Sequence, residues 1–468
     1  MDLQDKRILI VGLGKSGVAS AQFLQARGAK VTVSDSKSPD QLRGEIPALL
    51  DRGIAVETGG HGERTFRGQD LIVVSPGVPA DVPQLVQARI HGVPIIGEIE
   101  LASQFLQGRI VAITGSNGKT TTTTLTGEIL AASGFPVVVG GNIGTPAISL
   151  VEQTTPTTFA VLEISSFQLE TIHTFRPFIS CILNITPDHL DRHRTFDAYV
   201  SAKARIFENQ NEANYCVLNA DDPAANALSD RGHCPVLHFS RRSEVAAGAF
   251  VRDAKIFFRD GKPGGKADLE ILPVSEIPLK GAHNLENVLA AVSLASLAGC
   301  PPESIRQAVR AVMAVEHRLE FVAEIAGVSY YNDSKATNVD ATIKALESFP
   351  ANIHLILGGK DKGSDYSVLN NLLRQRVKRV YTIGAAAEKI ESQITDAVEI
   401  FPAGTLENAV RRATTTAVPG DVILLAPACA SFDQFRDFEA RGDAFRDMVK
   451  ALIAERTDRA AEYSEERG

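Results

Sequence analysis

Two glycine-rich stretches hold the residues best suited to chemistry. In "TGSNGKTT" (114–121), Gly115 and Gly118 bracket Ser116 and Asn117, and Lys119, Thr120 and Thr121 follow. An apolar run, Ile110–Ile113, precedes it, and a helical pattern through Leu125, Ile129 and Ala132 comes after. Strand, glycine turn and helix together make a phosphate site, because backbone N–H groups converge there and the helix N-terminus adds partial positive charge. Lys119 suits the phosphate, and the Thr120 hydroxyl suits Mg²⁺. The usual P-loop has a further glycine five positions before Gly118, where this chain has Ile113.

The second stretch, "VGLGKSG" (11–17), reads G-x-G-x-x-G through Gly12, Gly14 and Gly17, after the apolar run "RILIV". Asp35 ends the next apolar run, about 20 residues on, where a dinucleotide's ribose acid would stand. Alone, this loop reads as a redox-cofactor site.

Further candidates end apolar runs in the manner of parallel strands, whose carboxyl edge binds ligands. Glu163 closes "FAVLE", and Asp188 and His189 follow "CILNITP". His189 and His193 are four apart, but H-E-x-x-H needs Glu where Leu190 stands, so a metalloprotease site is excluded. Lys203, in the helical "YVSAKARIF", reads by itself as a solvated surface charge.

These residues need a scaffold. The 468 residues suggest roughly three domains at ~150 residues each. The first part alternates strand, loop and helix: strands 7–11 and 30–35, a helix from Ser16 to Arg27, and a strand within 71–77. Such alternation implies a parallel sheet with crossover helices. A second α/β unit begins at Arg109, with strands near 136–139, 159–163, 179–184, 215–219 and 235–239. "GAFVRDAKIFFRDGK" reads as a β-hairpin turning at Asp260-Gly261, and 283–299 as a helix. A third α/β set starts near 316, with strands near 353–357, 378–383, 398–401 and 422–426. Its last helix covers about 434–453, and the charged tail beyond is expected to fray.

Composition narrows the function classes. Apolar residues are 44% and charged residues 22%, and 48 basic against 56 acidic side chains give a net charge of −8. That balance argues against a nucleic-acid backbone or an anionic membrane as main partner. "MDLQDKR" has no signal-peptide character, and "VLAAVSLASLAG" (288–299) is too short to span a bilayer. Five dispersed cysteines fit buried, reduced thiols and a cytoplasmic setting.

"TGSNGKTTT", "GGNIG" (140–144), "LEISSFQLE", "NITPDHLDRH" and "YVSAKARIF" together resemble the ATP-dependent Mur ligases, which build the peptide stem of bacterial cell-wall precursors. "HRLE" (317–320), "NDSKATN" (332–338) and "APACASFDQFRDFEARG" (426–442) narrow the resemblance to the branch that adds the second residue, D-glutamate. The likeness covers nearly the whole chain except the charged tail and the 240–272 region. It implies three domains: an N-terminal Rossmann-like domain (1–97) for the UDP-substrate, a central P-loop-type mononucleotide-binding α/β domain (98–315) with an added β-hairpin region, and a C-terminal Rossmann-like α/β domain (316–468) for the amino acid.

The implied reaction joins D-glutamate to UDP-N-acetylmuramoyl-L-alanine at the expense of ATP, through an acyl phosphate, in peptidoglycan synthesis. By resemblance Lys119, Glu163, His189 and Lys203 are catalytic. Thr120, Glu163, His189 and Lys203 hold two Mg²⁺ ions, with Lys203 carrying a CO₂-derived carbamate. Gly115, Asn117, Gly118, Lys119, Thr120, Thr121, Asn284, Asn287, Arg318, Asp333 and Lys335 contact ATP. Gly14, Ser16, Asp35, Ser36, Lys37, Gly77, Asn142, Ser165 and Gln168 match the UDP-substrate side. Thr337, Lys362, Ser431 and Phe438 match D-glutamate contacts; Lys360, in "GGKDKG", stands where some members carry an acid and is a second candidate to share the role of Lys362. The family expectation is a monomer. Substrates bound by three domains imply domain closure, with candidate hinges near 97–108 and 313–318.

Three other readings compete: an NAD-dependent oxidoreductase, a non-catalytic nucleotide-binding regulator and, within the family, folylpolyglutamate synthetase. "NDSKATN" beside "ACASFDQF" has no use in a dehydrogenase, and Lys119, Glu163, His189 and Lys203 together disfavour a mere regulator.

Overall fold

The computed structural model describes residues 1–261, 267–279, 281–312 and 316–465, with side chains described through Ala454. It divides into two compact units. One comprises Met1–Ile185, Asp197–Pro278 and Asn284–Val312; the other comprises Thr186–Phe196, Leu279–His283 and Met313–Gly468.

Among the described residues the first unit contains three sheets. β1 (Arg7–Val11), β2 (Lys30–Asp35), β3 (Ala55–Thr58), β4 (Leu71–Val74) and β5 (Ile95–Gly97) form a parallel sheet in the order β3-β2-β1-β4-β5. Ile8, Leu9, Ile10 and Val11 are fully buried, as the uninterrupted apolar run requires of a central parallel strand. β1 lies between β2 and β4, so the loop that follows it opens at a topological switch point.

β6 (Arg109–Thr114), β7 (Val137–Gly141), β8 (Phe159–Glu163), β9 (Ile179–Ile182), β10 (Tyr215–Asn219) and β11 (Val236–Phe239) form the second parallel sheet, ordered β11-β10-β9-β6-β8-β7. Its switch point follows β6, where the helix Lys119–Ala132 begins.

β12 (Gly248–Arg252), β13 (Lys255–Arg259) and β14 (Leu269–Pro273) make a small antiparallel sheet. The β12–β13 turn corrects the expectation from sequence. It falls at Asp253–Ala254, both with positive φ (49° and 56°), whereas Asp260-Gly261 opens the β13–β14 connection. A tight turn needs this geometry at both central residues. Cross-strand pairing through Phe250 and Phe257 supports an alanine there. Part of the 240–272 region, residues 262–266, and part of the expected 313–318 hinge, residues 313–315, lie outside the described residues.

Two glutamates in "GEIE" join the first two sheets within this unit. Glu100 accepts from the backbone N–H groups of His173, Thr174 and Phe175 at 2.9 Å each. Glu98 accepts from the N–H of Ile148 at 2.8 Å, while its Oε2 has no partner. Burial therefore pushes the Glu98 carboxyl up to about 7, against the opposing backbone bonds from Ile148 and Ala147.

Among the described residues the second unit has one sheet: β15 (Glu320–Ile325), β16 (Val328–Asn332), β17 (Ile353–Gly358), β18 (Val377–Ile383), β19 (Glu399–Gly404) and β20 (Val422–Leu425), ordered β15-β16-β20-β17-β18-β19. β15 pairs antiparallel with β16; the other pairings are parallel. The β15–β16 hairpin was not among the strands expected from sequence. The last helix runs Phe438–Glu465. All five cysteines are free and buried.

Candidate active site

In the first unit the loop after β6 returns to the chain through its own lysine. Lys119 Nζ donates to the carbonyls of Gly115 (2.9 Å) and Ser116 (3.0 Å). Gly118 takes φ 85°, and a Cβ there would stand 2.1 Å from Asn287 Oδ1. Glycine is therefore required both by backbone conformation and by space. Asn287 in turn donates to Asn284 Oδ1 at 3.2 Å, so this predicted pair backs the loop.

Glu163, at the end of β8, stands beside Ile113 of β6. Its Oε2 accepts the Thr120 hydroxyl at 2.7 Å, and its Oε1 accepts Asn142 Nδ2 at 2.9 Å. Three positions picked from separate motifs thus meet at one carboxylate. Lys203 is not a surface lysine: its side chain is buried, and Nζ donates to the Gly115 carbonyl at 2.8 Å. The helical position that reads as solvated faces inward, with the Tyr199 ring centre, one turn earlier, 4.6 Å from Nζ.

Tyr199 and Asn184 were missed. The Tyr199 hydroxyl is 3.1 Å from Ser116 Oγ, and Asn184 brackets Asn117 by accepting its N–H (2.8 Å) and donating to its carbonyl (3.1 Å). Asn184 was legible in principle, as a polar residue just beyond a buried strand. Tyr199 was not, since a helical aromatic ordinarily signals core.

Among the described residues no group of three or more His, Cys, Asp or Glu side chains is placed to hold a metal ion. The donors at the loop are the Glu163 carboxylate and the Thr120 hydroxyl. That sparse oxygen set fits Mg²⁺, which keeps waters and takes other ligands from phosphates.

At the first sheet, Asp35 accepts the N–H of Leu13 (2.6 Å) and of Lys37 (2.8 Å), bracing the glycine loop. The three glycines divide their work. A Cβ at Gly17 would stand 1.9 Å from the Gly12 carbonyl, whereas Gly14, like Gly77, faces open space. Gly17 thus permits helix–strand packing, and Gly14 leaves room for a ligand. Ser16 is half-buried, and Ser36 and Lys37 are exposed. Ser165 and Gln168 bond each other as a reciprocal helix cap: Gln168 N donates to Ser165 Oγ at 3.3 Å, and Ser165 N to Gln168 Oε1 at 2.9 Å.

In the second unit, the loops after β16, β17 and β20 gather at the carboxyl edge of the sheet. Asp333 is buried, which pushes its carboxyl up to about 6 against the pull of Arg318, the Leu319 N–H and Lys335. Lys335 Nζ sits 4.9 Å from the Phe438 ring centre. Lys362 Nζ is 3.4 Å from Asp188 Oδ1, and Asn338 Nδ2 donates to Asp188 Oδ2 at 3.0 Å. His189 follows with φ 54°, its N–H donating to Asp188 Oδ1. Ser431 is buried and Thr337 half-buried.

Arg441 was also missed. This fully buried guanidinium donates to Ser334 Oγ (2.9 Å), the Ser334 carbonyl (2.8 Å) and the Cys429 carbonyl (3.1 Å). It ties "DSKATN" to "ACAS", and burial lowers it to about 10. Nothing in its local sequence separates it from a surface helix arginine.

A glycine loop with a lysine, a hydroxyl–carboxylate pair and a buried second lysine define a nucleotide-dependent α/β enzyme, and comparison with known proteins specifies which kind. The Mur ligase middle domain profile matches residues 113–295, the Mur ligase MurD-like N-terminal domain matches 6–97, and the Mur ligase glutamate ligase domain matches 317–429. The chain belongs to the Mur ligase family. It is 64% identical over 452 residues to a UDP-N-acetylmuramoylalanine–D-glutamate ligase of Koribacter versatilis, covering 97% of this chain and 99% of the relative. Among solved structures, the UDP-N-acetylmuramate–alanine ligase of Thermotoga maritima superposes with a TM-score of 0.60 at 19% identity, over 96% of this chain and 100% of the other. The MurF ligase of Thermotoga maritima, solved in complex with ADP, gives 0.58 at 15% identity, over 96% of each chain.

Proposed function

We propose that the protein is the ATP-dependent ligase that adds D-glutamate to UDP-N-acetylmuramoyl-L-alanine in peptidoglycan precursor synthesis. The observation that carries the reading is the convergence of Lys119 and Lys203 on the Gly115 carbonyl, beside the Thr120–Glu163 pair.

A carboxylate and an amine at neutral pH form a salt, so the carboxylate must first acquire a leaving group. The L-alanyl carboxylate attacks the γ-phosphorus of ATP, forming a C(O)–O–P bond while ADP leaves. The D-glutamate amine, having lost a proton to solvent, then attacks the acyl carbon; the amide C–N bond forms as the acyl C–O bond breaks and phosphate leaves. Two anions meet in the first step, so the chain must supply positive charge. Lys119 and the N–H groups of 115–121 bind the ATP phosphates. Thr120 and Glu163 are the residues that would hold Mg²⁺, with His189 and a carbamate on Lys203 serving a second ion. Mg²⁺ bound there would supply charge neutralisation during phosphoryl transfer.

Asn284, Asn287, Arg318, Asp333 and Lys335 contact the nucleotide. The loop at Gly14 and Ser16, with Asp35, Ser36, Lys37, Gly77, Asn142, Ser165 and Gln168, grips the UDP-substrate. Thr337, Lys362, Ser431 and Phe438 receive D-glutamate, whose carboxylates suit a lysine and hydroxyl donors. Residues 1–97, 98–315 and 316–468 act as UDP-substrate, ATPase and amino-acid domains. The enzyme works as a cytoplasmic monomer, where UDP-linked precursors are made for wall growth and division.

The test is phosphate release from ATP with each amino acid and with UDP-N-acetylmuramoyl-L-alanine. Release should require both D-glutamate and the UDP-sugar; release independent of either one overturns the assignment.

A further inference from the structure

The loop after β17 presents two lysines with an aspartate between them, and the structure treats the three residues differently. Gly358 and Gly359, at φ 128° and 137°, carry the chain where a Cβ would stand 2.0 Å from the Ile383 carbonyl and 2.4 Å from that of Ala430. Lys360 bonds Ala430 through both backbone groups (2.8 and 3.1 Å) and is exposed. Lys362 turns inward to Asp188, with its side chain 16% exposed.

Asp361 is the fixed point between them. Its Oδ1 accepts the Tyr366 hydroxyl (2.8 Å) and the Ser364 N–H (3.1 Å), and its Oδ2 accepts Lys389 Nζ (2.7 Å). Burial works against the charge. The bonds from Lys389, Tyr366 and Ser364 outweigh it and hold the carboxyl below its ordinary value. Tyr366 is fully buried, and its hydroxyl also lies 2.9 Å from Cys429 Sγ, two residues before Ser431. Lys389 belongs to the helix Ala387–Ile394. One carboxylate thus anchors the Lys362 loop to a helix and, through Tyr366, to the segment bearing Ser431.

We propose that Asp361 is a positioning residue for the amino-acid substrate, holding the loop so that Lys362 rather than Lys360 meets a D-glutamate carboxylate, in register with Ser431. This rests on the reading of Lys362 and Ser431 as glutamate contacts. A carboxylate held by three donors transmits its geometry to the next residue, because the intervening backbone has few soft torsions.

The experiment is steady-state kinetics on the full chain with Asp361→Asn, Tyr366→Phe, Lys360→Ala and Lys362→Ala, with melting temperatures measured alongside. Asp361→Asn should raise KM for D-glutamate about tenfold, as expected for a lost charge-assisted bond, with kcat and KM for ATP within about twofold. Tyr366→Phe should give a smaller rise of the same kind, Lys362→Ala a larger one, and Lys360→Ala none. Tyr366→Phe removes one hydroxyl only and serves as the test should Asp361→Asn fold poorly. If Asp361→Asn and Tyr366→Phe lower the melting temperature but leave KM for D-glutamate unmoved while Lys362→Ala raises it, Asp361 is merely structural and the proposal fails alone. If Lys362→Ala leaves KM unmoved, the glutamate assignment fails and the proposal falls with it.

Discussion

The ammonium groups of Lys119 and Lys203 share one acceptor, the carbonyl of Gly115, at 2.9 and 2.8 Å. That carbonyl ties both lysines to the glycine loop proposed to hold the ATP phosphates.

Lys203→Ala should therefore lower kcat by at least about a hundredfold, the scale of a lost electrostatic contact to the transition state, while ADP still binds. Kinetics together with isothermal titration of ADP checks this. Near-normal turnover would return Lys203 to the status of an ordinary helix lysine.

Glu163→Gln removes the charge opposite Thr120 but keeps the shape that bonds Asn142. The Mg²⁺ concentration for half-maximal rate should rise by about tenfold or more, with little change in melting temperature. A Mg²⁺ titration of rate, with a thermal melt as control, reads both.

Gly118→Ala places a methyl 2.1 Å from Asn287 Oδ1 at φ 85°. The loop or the Asn287 side chain that backs it must shift, so the stabilisation that ADP confers on thermal melting should largely disappear. A wild-type ADP shift in the variant would mean that the loop does not hold the nucleotide.

The first glycine loop should bind the UDP-sugar and not NAD in isothermal titration. Gly14→Ala, which meets no protein atom, should weaken UDP-sugar binding while leaving the fold intact. Gly17→Ala, whose methyl would stand 1.9 Å from the Gly12 carbonyl, should lower stability itself.

Stability should carry a pH signature from Glu98. Its folded value of about 7 lies above the ordinary 4.5, so the native state keeps a proton that the unfolded chain releases. Stability from this group is present below about pH 4.5 and falls as pH rises through 7, by on the order of 3 kcal/mol in all. Melts of Glu98→Gln against wild type between pH 5 and 8 should show the slope only in wild type.

The strands built on apolar runs, β1, β8 and β10, stand where sequence reasoning puts them, since burial on both faces leaves a plain signal. The β15–β16 hairpin escaped because "EFVAEIAGVSYYN" is half exposed and its acids dilute the apolar run. The β12–β13 turn escaped because it is built on Asp-Ala and not on the Asp-Gly that follows.

The amino-acid sequence alone determined the glycine loops, the order of the α/β segments and the motif set that marks the family, because these depend on local backbone geometry and on spacing along the chain. Only the tertiary structure decided which polar groups meet. It turned Lys203 inward onto Gly115, brought Thr120 and Asn142 to Glu163, selected Lys362 over Lys360 for burial, and enlisted Tyr199, Asn184 and Arg441. Those pairings join residues from 21 to 174 positions apart. Burial and shared hydrogen bonds across sheet edges set them, and periodicity along a single element carries no record of either.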